Sequence, residues 1–140
     1  MQPAPKWFKP VAIVALLWNA IGCAAFVSDV RMTPEALAQL SAVQQALYAS
    51  RPTWFVIAYA LAVWGGAFGS LGLVLKKRWS APLLLLSLIG IIIQDTWLFG
   101  SSGAVEAFGS SVYAMQGFIL LVGIGLVLLS RKAVRLEWVS

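Results

Sequence analysis

The sequence predicts an all-α membrane domain: a four-transmembrane-helix bundle with a short amphipathic outer helix between helices 1 and 2. Three observations predict it. Of 140 residues, 61% are hydrophobic and only 11% are charged, whereas a soluble domain carries about a quarter charged residues. Four apolar stretches are each long enough to cross roughly 30 Å of hydrocarbon. The basic residues collect at every second boundary between those stretches. A chain of this length makes one integral membrane domain, residues 1–140, with no separate soluble module.

The first stretch is about Trp7–Ser28, "WFKPVAIVALLWNAIGCAAFVS". Lys9 and Pro10 stand at its start, where proline is tolerated in a first turn. The segment "CAAFVSDV" is only weakly like a cleavage site, and the stretch has spanning length, so a retained helix is expected. The second stretch is about Thr53–Leu75, the third about Ser80–Phe99 and the fourth about Val112–Ser130. Between the first two lies the amphipathic segment, about residues 33–50. Thr33 suits an N-cap, Pro34 the first helical position and Glu35 the first turn. Leu37, Leu40, Val43 and Leu47 recur at spacings of three and four, and Pro52 ends the segment. Its apolar face is expected on the membrane surface or over its own bundle. "GSSGAVEAFGSS", from Gly100 to Ser111, reads as a flexible outer loop.

Charge placement sets the expected orientation. Of ten basic residues, eight fall on one side: Lys6, Lys9, Lys76, Lys77, Arg78, Arg131, Lys132 and Arg135. Arg31 and Arg51 fall on the other, balanced by Asp29 and Glu35. The positive-inside rule then puts both termini in the cytoplasm. Trp7, Trp54, Trp79, Trp97 and Trp138 lie near the expected interfaces, as an aromatic belt does.

The same placement accounts for the net charge of +5 without nucleic acid. The chain has no histidine and a single cysteine, Cys23. That removes histidine-ligated haem or zinc, histidine bases and relays, and any internal disulfide or paired-cysteine redox chemistry. No cofactor, metal site or catalytic constellation is expected, and the chain does not read as an enzyme.

The functional clue is polar residues inside the spans. "IIIQDTWLFG" puts Gln94 and Asp95 in a very apolar stretch, with no basic residue between Trp79 and Arg131. At about 1.5 Å per residue, Asp95, Gln116 and Tyr59 lie at similar depth in the outer half, and Asn19 somewhat deeper. Asn19, Tyr59 and Gln116 each share a helical stripe with small residues, whereas Asp95 aligns with Leu84, Leu88 and Ile91. A buried carboxylate is costly in lipid. Asp95 therefore carries its proton, or is held by donors such as Asn19, Gln116 or Tyr59, or faces a vestibule. These residues, with Gln94, are the candidates for a ligand- or proton-binding site. The competing reading is interhelical hydrogen bonds that only hold the helices together. Gly65, Gly66, Gly69 and Gly72 in "WGGAFGSLG" form a stripe for close helix packing.

The whole chain resembles a group of small bacterial four-helix inner-membrane proteins. The resemblance rests on "PKWF", "ALLWNAIG", "MTPEAL", "RPTW" and "RKA". Members are often labelled sugar transporters, so it implies a small transporter and assigns no residue roles. Four-helix multidrug exporters are similar in size, but they use a first-helix glutamate, and helix 1 here has no acid before Asp29. The expectation is a transporter or solute-binding protein with the lipid bilayer, a small solute and a second copy in a homodimer as partners. The alternative is a non-transporting scaffold or accessory subunit.

Overall fold

The computed structural model of the chain describes residues 3–100 and 109–140. The described residues form six helices and no strand: α1 (Phe8–Val30), α2 (Pro34–Ala38), α3 (Ala42–Ser50), α4 (Thr53–Val74), α5 (Ser80–Gly100) and α6 (Ser111–Arg135). Four of them, α1, α4, α5 and α6, are long and apolar enough to cross a membrane. Most of the loop expected at residues 100–111 lies outside the described residues. Helix α6 runs five residues beyond its expected end at Ser130. Lys132 and Arg135 in its last turn complement the helix dipole there.

The amphipathic segment is two helices rather than one. Thr33 does cap α2, accepting from the Ala36 amide at 3.1 Å. The turn then stops at Gln39, and Ser41 starts again as a second N-cap. The Ser41 hydroxyl accepts from the Gln44 amide at 3.2 Å, and the Gln44 side chain accepts from the Ser41 amide at 3.3 Å. This reciprocal pair satisfies two amide donors that a helix start leaves open, so it outcompetes a continuous helix. The apolar face is narrower than its spacing implies. Leu47 is buried against Phe55 and Trp97, whereas Val43 is exposed.

The long helices pack in the order α1, α4, α5, α6, each antiparallel to the next. Asn19 meets Ser70 and Phe26 meets Tyr59 between α1 and α4. Gly69 meets Leu84 and Phe55 meets Trp97 between α4 and α5. Gly123 meets Leu88 and Ile91 between α5 and α6. The central seam, α4 on α5, is the closest, and α1 and α6 flank it without close packing on each other. Glycine makes the seam possible. A Cβ on Gly65 would meet the Leu83 carbonyl, one on Gly69 the Leu84 side chain, and one on Gly72 the Trp79 ring. Gly90 of α5, absent from the expected stripe, stands closest to a neighbouring backbone. Its Cβ would stand 2.7 Å from the Ala58 carbonyl oxygen and 2.8 Å from the Ala62 nitrogen.

The end that carries both termini is sealed. Phe8, Leu73, Leu84, Ala133, Trp138 and Val139 form one buried cluster. The Trp138 ring lies edge-on to Trp7 and Phe8 at 5.7 and 5.6 Å. Ser140 exchanges two 2.9 Å backbone bonds with Lys76 and Arg78, stitching the chain end to the basic loop. Both helices that end here close by one device. After α4, the Lys77 amide donates to the Gly72 carbonyl and Lys76 to Leu73; after α6, Trp138 donates to Ala133 and Glu137 to Val134. Lys76 and Glu137 take the left-handed conformation that this closure needs, at φ 56° and 59°.

Candidate functional site

The opposite half of the molecule is hollow. A cavity of about 700 Å³ lies among α1, α4, α5 and α6, with the end of α3 over its far end. That size falls in the range of about 300–1,000 Å³ usual for small-molecule sites. Leu84 and Leu126 line it toward the sealed end, and Tyr48 and Arg51 line it beneath the short helices.

Asn19, Tyr59, Gln94 and Gln116 all line this cavity, one from each long helix. Asp95 does not. The wall of α5 is the stripe Leu84, Ser87, Ile91 and Gln94, all buried. Gln94 continues that stripe, and Asp95, about 100° further round the helix, lies off the lining. Asp95 follows Leu88 by two turns, and Leu88 reaches Gly123 of α6. The carboxylate is half-buried, and its Oδ1 has no hydrogen-bond partner among the described residues.

Asn19 is not its neighbour either. The Asn19 amide donates to the Ala15 carbonyl at 2.9 Å and to Ser70 Oγ at 3.2 Å. Its oxygen lies where a Cβ on Gly66 would fall. Asn19 therefore sits at mid-helix, level with Gly66 and Ser70, deeper than the level of Tyr59. Part of its polarity is spent holding α1 on α4. Ser87 does the same between α5 and α4, donating to the Ala62 carbonyl at 2.5 Å. The Cys23 thiol donates to the Val63 carbonyl at 3.3 Å and acts in packing. The Gln116 side-chain oxygen is buried without a donor among the described residues.

Among the lining residues not singled out as site residues in the sequence, Asp29, Tyr48 and Arg51 form one group. The Tyr48 hydroxyl donates to Asp29 Oδ1 at 3.1 Å. Arg51 Nη1 approaches Asp29 Oδ2 at 3.9 Å, and its guanidinium lies 4.7 Å over the Tyr48 ring. Burial, then the Asp29 charge, push the Tyr48 phenol above its ordinary value. The available signal was opposite charge at the two ends of the connecting segment, Asp29 before it and Arg51 after it. Tyr48 follows the one deeply buried residue of α3, Leu47, and so is drawn in beside it.

The cavity thus has long apolar walls, neutral hydrogen-bonding groups along them, and charge at one end. It fits a molecule with an apolar body and polar points. Comparison of the chain with known protein families, curated proteins and solved structures gives no match.

Proposed function

We propose that this is a multi-pass protein of the bacterial inner membrane that binds a small solute in the outer half of a four-helix bundle, as a transporter or solute-binding protein. The observation that supports it is the convergence of Asn19, Tyr59, Gln94 and Gln116, from four helices, on one cavity. In this reading the sealed end, with eight of the ten basic residues, is cytoplasmic, and α2 and α3 lie outside. The exposed apolar faces of α1 (Val14, Leu17, Ile21) and α6 (Leu121, Leu128) meet lipid or a second copy.

The scaffold reading has its own observation: the Asn19 and Ser87 hydrogen bonds are spent within the packing. Gln94 separates the two. Gln94→Leu keeps roughly the volume and removes the hydrogen-bonding group. A binding protein loses ligand affinity in this variant while remaining folded, and Asp95→Asn, off the cavity wall, retains it. A scaffold behaves alike in both. Reporter fusions at Ser140 test the topology: a fusion active only in the periplasm overturns it.

A further inference from the structure

We propose that the cavity takes a single-chain anionic amphiphile, an acyl chain with a carboxylate or phosphate head, which passes between α1 and α6 and sets its head against Arg51. The proposal rests on the cavity being a binding site and names what binds there.

The walls suit a chain more than a sugar. Leu84, Ile91, Ile119, Val122 and Leu126 line the deep part. On α6 the lining runs from Ser111 to Leu126, about 22 Å at 1.5 Å per residue, an elongated slot. Sugar hydroxyls set against these five side chains would lose hydration that the neutral polar groups elsewhere on the walls replace only in part.

Charge stands at one end only. Among the described lining residues Arg51 is the sole cation. It is held loosely: its ion-pair distance to Asp29 Oδ2 is 3.9 Å, while Asp29 Oδ1 accepts from Tyr48. Its Nε is buried and has no acceptor among the described residues. A desolvated cationic donor without an acceptor favours an anionic oxygen.

The open side faces where lipid would be. Helices α1 and α6 do not pack closely. The gap is bridged by Trp18 and Phe118, edge to face at 5.3 Å. Both rings lie on the surface, 37% and 55% exposed. Parting two exposed rings disturbs no backbone hydrogen bond, so a chain in the hydrocarbon can slip between them.

The test is competition binding on the full chain in lipid nanodiscs, with cis-parinarate fluorescence as the readout. Competitors are laurate, dodecyl phosphate, dodecanol, dodecyltrimethylammonium and glucose. Laurate or dodecyl phosphate should displace the probe about tenfold better than dodecanol, the scale of one charge-assisted hydrogen bond. Their order tells a fatty acid from a phosphate-headed lipid. Arg51→Gln should erase the preference for laurate over dodecanol, and Asp29→Asn, which frees the arginine, should increase it. Each preference is a ratio measured on one sample, so partial loss of stability does not mimic it. Should Arg51→Gln not fold, the head-group order in the unmodified chain decides. Equal displacement by laurate, dodecanol and dodecyltrimethylammonium overturns the proposal, as does an unchanged ratio in Arg51→Gln. Glucose binding without laurate binding overturns it but leaves the solute-binding reading intact. Binding of neither probe nor glucose removes both.

Discussion

The Tyr48 hydroxyl donates to Asp29 Oδ1 across 3.1 Å and ties the short helix α3 to the last turn of α1. An acidic residue at a helix C-terminus opposes the helix dipole. Tyr48 and Arg51 offset that by supplying a donor and a positive charge. Tyr48→Phe should cost about 1 kcal/mol, near the middle of the range for one such bond, since both partners keep some solvent contact. The effect should appear as faster hydrogen exchange across residues 34–50 and no change at Trp138.

The same contact has a pH signature. The folded protein raises the Tyr48 phenol above its ordinary 10.0. It therefore holds that proton more tightly than the unfolded chain does. The contribution is whole below pH 10 and is lost as pH rises through the higher folded value. An alkaline absorbance titration should show a late-ionising tyrosine that Tyr48→Phe deletes. A titration identical in both proteins would contradict the contact.

Gly90→Ala and Gly117→Ala should differ in sign. The first puts a methyl into the backbone of Ala58 and Ala62, where nothing flexible can yield. It should force α4 and α5 apart and cost several kcal/mol, beyond the roughly 1–3 kcal/mol of ordinary overpacking. The second meets nothing within 4 Å and gains up to about 1 kcal/mol of helix propensity. Thermal unfolding in detergent compares them directly.

Gly66 and Asn19 should couple. Gly66→Ala alone drives its methyl onto the Asn19 carboxamide. Asn19→Ala alone removes a hydrogen bond to Ser70. The double variant has no clash with the amide, and its methyl next meets Ser87 Oγ, at 3.1 Å. Its loss should be smaller than the sum of the two single losses by about 0.5–3 kcal/mol in a double-mutant cycle. Additivity would mean that the two residues do not touch.

Lys76→Gly and Glu137→Gly should stabilise the fold. Both positions hold a side chain in the left-handed region, where glycine carries no steric cost. A gain of about 1 kcal/mol each is expected from the backbone cost of a non-glycine residue there. Loss of stability at either site would point instead to a contact made by the charged side chain.

Much of the architecture was legible because its signals are local. Four spans follow from long apolar runs, and the Thr33 cap from a threonine before Pro-Glu. The break in the amphipathic segment was legible too: Ser41 and Gln44 are a capping box written in four residues. It was masked by an apolar spacing that runs straight across it. The candidate site was legible in part. Asn19, Tyr59, Gln94 and Gln116 stand out as polar residues in apolar runs, and all line the cavity.

The faces of those runs were decided only by packing. In a soluble helix, water on one side makes polarity report the outer face. Lipid is as apolar as the interior, so an all-apolar run carries no such mark. Leu84 is 2% exposed and Leu85 is 46%, with nothing in their identity to tell them apart. For that reason the sequence placed an acid and an amide in α5, but only the seam around Gly90 turned Gln94 to the cavity and Asp95 away. The group Asp29, Tyr48 and Arg51 arose the same way. The short helices fold back over the ends of α1 and α4, bringing together two charges and a phenol spread over 23 positions of chain. Length, spans and charge balance are sums along the sequence. Which side chains meet depends on rotations about helix axes, and those are set by where the small residues let backbones approach.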